Sequence, residues 1–263
     1  MKNILVTGAA GGMGQATVKA LCAKGYRVFA LDKNPGDPVA GAVSLCADIT
    51  REESLRQAAQ TVQQAGELFA VLHFAGLYML DSLVEMPEEA FERIFRVNLA
   101  GAFLVNKVFL PLLRPGSRIL MVTSELAPLP PLPFTGIYAV SKAALDKYAY
   151  ALCMELQLLG ISVSVLRAGA VRTNMLPAST AQLERFCAET ALYRCNAARF
   201  RQIVEKVEAK SLPPEKIAAK VCRILAAKHP AFAYAINRNP LLRLYGLAPS
   251  RLRLWAIRQI LKG

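Results

Sequence analysis

Tyr138 and Lys142 are four residues apart in the motif Tyr-Ala-Val-Ser-Lys. The surrounding residues 135–159 read as a helix ended by Gly160, so a phenol and an ammonium share one helix face. A nearby cation favours phenolate and lowers a tyrosine pKa that is otherwise about 10. Tyr138 is therefore a candidate general acid/base, although such pairs also arise by chance on many helix surfaces. Ser124 stands 14 residues before Tyr138 at the end of a strand-like run. There its hydroxyl could hold a substrate oxygen, or serve only as a turn serine.

A second group of residues suits an anion. Thr7-Gly8-Ala9-Ala10-Gly11-Gly12-Met13-Gly14 follows an apolar run at 4–7 and opens an amphipathic run at 12–24. Glycines in a strand-to-helix turn let the backbone approach a pyrophosphate, and the helix start offers free N–H groups. Asp32 ends the next strand-like run, 18 residues after Gly14. A carboxylate there can accept hydrogen bonds from ribose hydroxyls and repel a 2′-phosphate; the alternative is a solvated loop charge. Asn98 lies inside the helical run 88–113, where an asparagine is unfavourable without a specific partner. Its neighbours Val97, Leu99 and Phe103 read as buried.

These residues need a frame, and the chain supplies one. Strand-like runs at 4–7, 27–31, 42–46, 70–74, 117–123 and 161–167 alternate with helical runs at 12–24, 51–65, 88–113 and 135–159. The strands are almost continuously apolar, as in a parallel sheet covered on both faces. The expected fold is α/β: a doubly wound, Rossmann-type parallel sheet with helices on both faces, in a single domain over 1–263. Residues 175–210 read as a helical excursion on the substrate side. A helix from Pro214 and a strand at 231–236 follow, then a basic amphipathic tail over 238–263.

Of the chain, 54% is hydrophobic and 19% charged, which allows a substantial core. No run reaches the roughly 18 uninterrupted apolar residues of a membrane span, and no signal peptide precedes the first strand. The expectation is a soluble, cytoplasmic protein. Its six cysteines form no C-x-x-C pair and read as buried thiols, and two histidines make a zinc site improbable. The net charge of +13 is uneven: residues 1–215 carry 22 basic and 19 acidic residues, whereas ten cations and no anion follow Glu215. The tail lacks zinc-finger spacing and RNA-binding aromatic motifs, which argues against a nucleic-acid partner.

Taken in order, these motifs resemble those of the short-chain dehydrogenases/reductases. The resemblance covers roughly residues 1–175: Thr-Gly-x-x-x-Gly-x-Gly at 7–14, Asp48 in Ala-Asp-Ile-Thr, Ala75-Gly76 after the fourth strand, Asn98, Ser124, Tyr138 with Lys142, and Gly169 with Thr173. It implies that Tyr138 is the acid/base and that Lys142 lowers its pKa and holds the nicotinamide ribose. It further implies that Ser124 orients the reacting oxygen and that Asn98 supports a water leading to Lys142. The cofactor contacts it implies are Gly8, Gly12, Met13, Gly14, Asp32, Asp48, Ile49, Ala75, Gly76, Gly169, Val171 and Thr173, besides Tyr138 and Lys142. Three departures stand out. The family's Asn-Asn-Ala-Gly is His73-Phe74-Ala75-Gly76, its Pro-Gly is Ala168-Gly169, which should loosen the following loop, and Ser124 is one residue further from Tyr138 than is common. Glu125 occupies the common position, but Ser124 is the only serine in reach.

The expected activity is hydride transfer between NAD, with NADP as the alternative, and an alcohol or ketone. A non-catalytic dinucleotide sensor on the same fold is the competing reading. The apolar stretch Leu126 to Phe134, with Met175 and Leu176, favours a lipophilic substrate such as a steroid, retinoid or long-chain compound. Surplus apolar residues on the runs 88–113 and 135–159, including Phe95, Phe103, Phe109, Tyr148, Tyr150 and Leu152, predict a homodimer or homotetramer. In the tail, a helix from Arg251 capped by Ser250 would set Arg251, Arg258 and Lys262 opposite an apolar face bordered by Trp255. That helix either packs on the fold or makes a peripheral membrane contact.

Overall fold

The computed structural model describes residues 1–173, 175–208 and 210–262, with backbone alone at 175–180 and 207–208. Its strands are β1 (Asn3–Thr7), β2 (Arg27–Asp32), β3 (Ala42–Cys46), β4 (Leu68–His73), β5 (Leu113–Ser124), β6 (Ser162–Ala168) and β7 (Ala233–Ile236). They form one parallel sheet in the order β3-β2-β1-β4-β5-β6-β7. The direction of winding reverses between β1 and β4, so a crevice lies outside the carboxyl ends of those two strands.

Alternation along each strand divides the core into two layers. Ile4, Val6, Val28 and Leu72 face one side, where α1 (Gly12–Ala23) and α8 (Pro214–Ala226) bury Val18, Leu21, Ile217 and Val221 against them. Leu5, Phe29, Val71 and Met121 face the other. There α2 (Glu52–Gln64), α4 (Gly101–Phe109) and α5 (Gly136–Leu156) contribute Leu55, Val105, Phe109 and Leu145. Gly25 takes φ of +78° just after the cap of α1, and Gly160 takes +69° after the 3₁₀ turn Gln157–Leu159 that extends α5, the left-handed stops expected of them.

The run expected as one helix over 88–113 is interrupted. After α3 (Glu88–Phe95) the chain makes a π-helical turn at Arg96–Ala100, resumes as α4 and ends in a 3₁₀ turn at Leu110–Leu112, containing Pro111. By length and composition the run Glu88–Leu112 could cross a membrane, with a mean hydropathy of 1.3. It is instead built into the fold, with Ile94, Val105 and Phe109 fully buried. Phe103, which read both as a buried neighbour of Asn98 and as a surplus outer residue, is 47% exposed, and Phe109, expected to be surplus, is in the core.

Beyond β6, the excursion consists of α6 (Met175–Glu189) and α7 (Arg194–Glu208). Leu183, Phe186, Phe200 and Val204 pack there with Leu80 and Phe134. The tail holds two helices rather than one. The Asn239 side chain accepts from Leu241 N at 3.0 Å and starts α9 (Pro240–Leu247), which the sequence pattern did not reveal. α10 (Ser250–Leu261) begins with Pro249 at the cap, so Ser250 is its first residue and not its N-cap. Among the cysteines, only Cys222 is buried outright; Cys46 and Cys195 are exposed thiols.

Candidate active site

The turn between β1 and α1 is fixed by contacts that no side chain could share. Gly8 sits at φ +67°, and a Cβ there would fall 2.6 Å from the Ala75 Cα and 2.7 Å from the Phe74 carbonyl carbon. A Cβ on Gly14 would run into the Gly8 carbonyl, and one on Gly12 would come within 2.9 Å of the Thr173 Cβ. Gly11 N donates to Gly8 O at 3.2 Å and closes the turn. The N–H groups of Gly12, Met13 and Gly14 open α1, where helix geometry gives them no intrahelical acceptor and the dipole favours an anion. The Thr7 hydroxyl is buried with no hydrogen-bond partner among the described residues. This bare cradle, with Ala75 and Thr173 on its walls, fits the diphosphate of a dinucleotide.

Two carboxylates stand at the end of β2 and just beyond β3. Asp32 accepts from Ala10 N at 3.0 Å and Asn34 N at 3.1 Å, which ties the end of β2 to the glycine turn. Asp48 accepts from the Thr50 amide and hydroxyl and pairs with Lys33 Nζ at 3.0 Å. Burial would raise the Asp48 carboxyl, but the Thr50 and Lys33 hydrogen bonds outweigh it and hold it below the ordinary range. Ile49 lies against Gly101, whose missing Cβ leaves room for its Cδ1.

At the ends of β4 and β5 the remaining residues meet. Ser124 is buried at the last position of β5, where its hydroxyl accepts from Leu126 N at 3.2 Å and, beside the Tyr138 phenol, favours the ionised form of that phenol. Glu125 is turned away: its carboxylate accepts from Asn239 N at 2.7 Å, so the serine and not the acid faces the tyrosine. Lys142 Nζ donates to Val122 O at 3.2 Å and lies 5.9 Å from the centre of the Tyr138 ring. Gly76 passes so close that a Cβ would stand 3.1 Å from this amine. Burial pushes the phenol up to about 12 against the opposing effect of Ser124, and pushes the amine down to about 8. The expected lowering of the phenol by Lys142 is thus reversed, because both groups lose solvent.

Asn98 occupies the π turn and is buried. Its Oδ1 accepts from Leu77 N at 2.7 Å, and its Nδ2 donates to Leu77 O at 3.0 Å and to Ser141 Oγ at 2.9 Å. Both amide hydrogens are used to hold the segment after Gly76 against α5. These contacts give Asn98 a positioning role.

The loop after β6 is tethered rather than loosened. Gly169 N donates to Ile236 O, Arg172 N to Leu212 O and Leu212 N to Ala170 O, and Val171 bridges Leu212. The Asn237 side chain also donates to Ala170 O at 2.8 Å. These bonds replace the stiffness that a proline at 168 would give. Of the residues expected to edge the substrate, Met175 and Leu176 have side chains outside the described residues.

Sequence reasoning missed several supporting groups. Tyr78 packs edge-on to Tyr138 at 4.7 Å, and only its position two residues after Gly76 hinted at it. Asp146, one helical turn beyond Lys142, pairs with Arg167 at 2.6 Å and accepts from the Thr123 hydroxyl at 3.2 Å, locking α5 to β5 and β6. His73 meets Asn106 Oδ1 at 2.9 Å, and Asn106 donates to the Tyr148 hydroxyl at 3.1 Å. The histidine therefore belongs to the core beneath the site.

Residues 2–184 match the model of the short chain dehydrogenase family. The chain belongs to that family. Among similar proteins, a 3-ketodihydrosphingosine reductase of Bacteroides thetaiotaomicron is 27% identical over 231 residues, covering 87% of this chain and 85% of its own. Estradiol 17-beta-dehydrogenase 2 of Mus musculus is 34% identical over 188 residues, covering 66% of this chain and 49% of its own. A short chain dehydrogenase from Burkholderia cenocepacia, solved in complex with NADP, has a TM-score of 0.73 at 25% identity and covers 90% of this chain and 96% of its own. Short-chain dehydrogenases are oxidoreductases that use nicotinamide dinucleotides, and the crevice of this one has the cradle that such a cofactor needs.

Proposed function

We propose that this short-chain dehydrogenase interconverts a lipophilic alcohol and its ketone with NAD, using Tyr138 as acid/base. The observation that carries the reading is the gathering of Ser124, Tyr138 and the Lys142 amine at the ends of β4 and β5, with the backbone cradle beside them. The nicotinamide, when bound, supplies or receives the hydride. With its phenol pushed up to about 12, Tyr138 holds its proton at neutral pH and is set to donate it to a carbonyl oxygen. Ser124 shares that oxygen and fixes its direction. Lys142, positively charged below about 8, stabilises the phenolate left behind. Asn98 keeps Gly76 and Leu77 pressed toward the amine.

NAD is favoured over NADP by charge. Asp32 puts a carboxylate beside the glycine turn, and Lys33, which could attract a 2′-phosphate, is engaged with Asp48. The lipophilic substrate is supported by the half-buried Leu77 and Tyr78 beside Tyr138, backed by the buried Met79 and Ile137. It is supported also by the likeness to enzymes named for 3-ketodihydrosphingosine and estradiol, both lipophilic. A second copy of the chain would pair through the outer faces of α4 and α5, where Phe103, Tyr150 and Met154 are exposed.

The decisive test is Tyr138→Phe, assayed with long-chain and steroid ketones. Turnover should fall by ~100-fold or more with NAD affinity nearly unchanged; turnover near wild type removes the mechanism. Comparing kcat/KM for NAD and NADP, in wild type and Asp32→Ala, tests the cofactor. A wild-type preference for NADP overturns that part.

A further inference from the structure

The tail packs on one side and is left unpartnered on the other. Ile257 and Leu261 join the cluster of Leu183, Phe186, Phe200 and Phe134, which anchors α10 on α7. Gly246 lies close against Leu129 and Pro130, so α9 rests on the loop between Ser124 and Tyr138. Arg253 stacks 5.9 Å over the Tyr245 ring and ties the two helices together. The outward residues are unusual for such an anchored pair. Leu247 is 85% exposed, Leu254 73% and Trp255 60%, with Leu241 and Leu244 similarly open. Among them stand the exposed cations Arg238, Arg243, Arg251, Arg258 and Lys262, with no anion anywhere after Glu215.

Charge decides what this surface fits. Another exposed apolar face, on α3 to α5, mixes Phe91 and Phe103 with Glu88, Glu89 and Glu92, as a contact between copies can. Two copies of the tail would instead bring like charges together, with no acid to relieve them. Nucleic acid would gain nothing from burying leucines. Leucines, a tryptophan and arginines on one rigid surface match the boundary of an anionic bilayer, where the apolar groups enter the acyl edge and the cations meet the headgroups.

We propose that α9 and α10 form a docking surface for an anionic lipid bilayer, set beside the mouth of the crevice. The docking stands apart from the proposed reaction, since it needs neither substrate nor cofactor. The chain has a single tryptophan, Trp255, so its fluorescence reports on this surface alone. The full chain is mixed with phosphatidylcholine vesicles, with and without about 30% phosphatidylserine. It should sediment with the acidic vesicles, Trp255 emission should shift to the blue, and salt should weaken both. Arg243→Glu/Arg251→Glu/Arg258→Glu should lower partitioning by at least ~10-fold, and Leu247→Ser/Leu254→Ser should reduce both partitioning and the blue shift. Circular dichroism checks that each variant is folded; if one is not, the salt titration of the wild type decides. Wild type left in the supernatant at low salt, binding indifferent to charge reversal or to salt, or a blue shift that follows protein concentration without vesicles each overturns the proposal. The last of these would make the surface a contact between copies.

Discussion

The two sides of the crevice are built by different means. On the dinucleotide side, backbone touches backbone: Gly8 against Ala75, Gly14 against Gly8, with positions where a single Cβ is too much. On the side proposed for the substrate, side chains do the joining. Phe134 gathers Phe186, Tyr193 and Phe200 at 4.8 to 5.3 Å, and Glu85 holds the turn after α6 through the Thr190 hydroxyl and the Ala191 and Leu192 amides. A surface made of backbone has one permitted sequence pattern, whereas a surface made of side chains has many. Cofactor geometry should therefore be brittle and substrate geometry adjustable.

Gly8→Ala probes the brittle side and should have the largest effect. The methyl would need space held by Ala75 and a φ that alanine disfavours, at a cost of ~3 kcal/mol or more. NAD affinity measured by titration should fall at least ~100-fold with the melting temperature lowered. Near-native binding would break the comparison.

Phe134→Ala probes the other side. It empties the centre of the aromatic cluster, which for a buried phenylalanine costs about 3 kcal/mol. KM for a lipophilic ketone should rise ~10-fold while NAD affinity holds. An equal loss of NAD affinity would show that the two sides are not independent.

His73→Asn sharpens the picture beneath the dinucleotide side. Burial holds His73 down to about 4, against the Asn106 hydrogen bond, while an unfolded histidine titrates at about 6.5. Between those values the unfolded chain binds the extra proton, so stability is full above about 6.5 and declines as pH falls towards 4, by on the order of 3 kcal/mol. Denaturant unfolding at several pH values should show that decline in wild type and lose most of it in the variant. The same slope in both would place the acid sensitivity elsewhere.

Glu85→Gln should have the smallest effect, since the amide keeps an acceptor for Thr190 but loses charge. KM should rise about two- to threefold with kcat unchanged, because only one charge-assisted contact is weakened. A change in kcat would tie this turn to the chemistry itself.

The same contrast explains what the sequence made legible. Residues 7–14, Asp32, Ser124, Tyr138 and Lys142 sit where their types and spacing place them, because strand ends and helix starts set their positions. Asn98 announced itself as a polar residue inside an apolar helix, but the π turn that aims it depends on Leu77 and Ser141, which are remote in sequence. Phe109 lies in the core although it read as surplus, because a helix apolar on two sides does not reveal which side meets the sheet. α9 escaped notice because Pro240 and Gly246 frame a helix of only eight residues, started by an asparagine side chain. The tether of Ala170 to Asn237 joins strands far apart in the chain, and no local pattern encodes it.

Phe134 has a further meaning. It takes a left-handed φ of 61°, rare for so large a residue, and directly precedes Thr135 at the start of the helix that bears Tyr138. Its ring is held by α6 and α7, while its carbonyl accepts from Asp81 N at 2.9 Å. The excursion and the helix that bears Tyr138 thus meet at one residue. If α6 and α7 swing outward, the ring is released, the backbone can relax from its rare conformation, and the first turn of α5 loses its brace. A change at Phe134 would therefore be felt at once by the helical excursion and by the first turn of the helix that bears Tyr138.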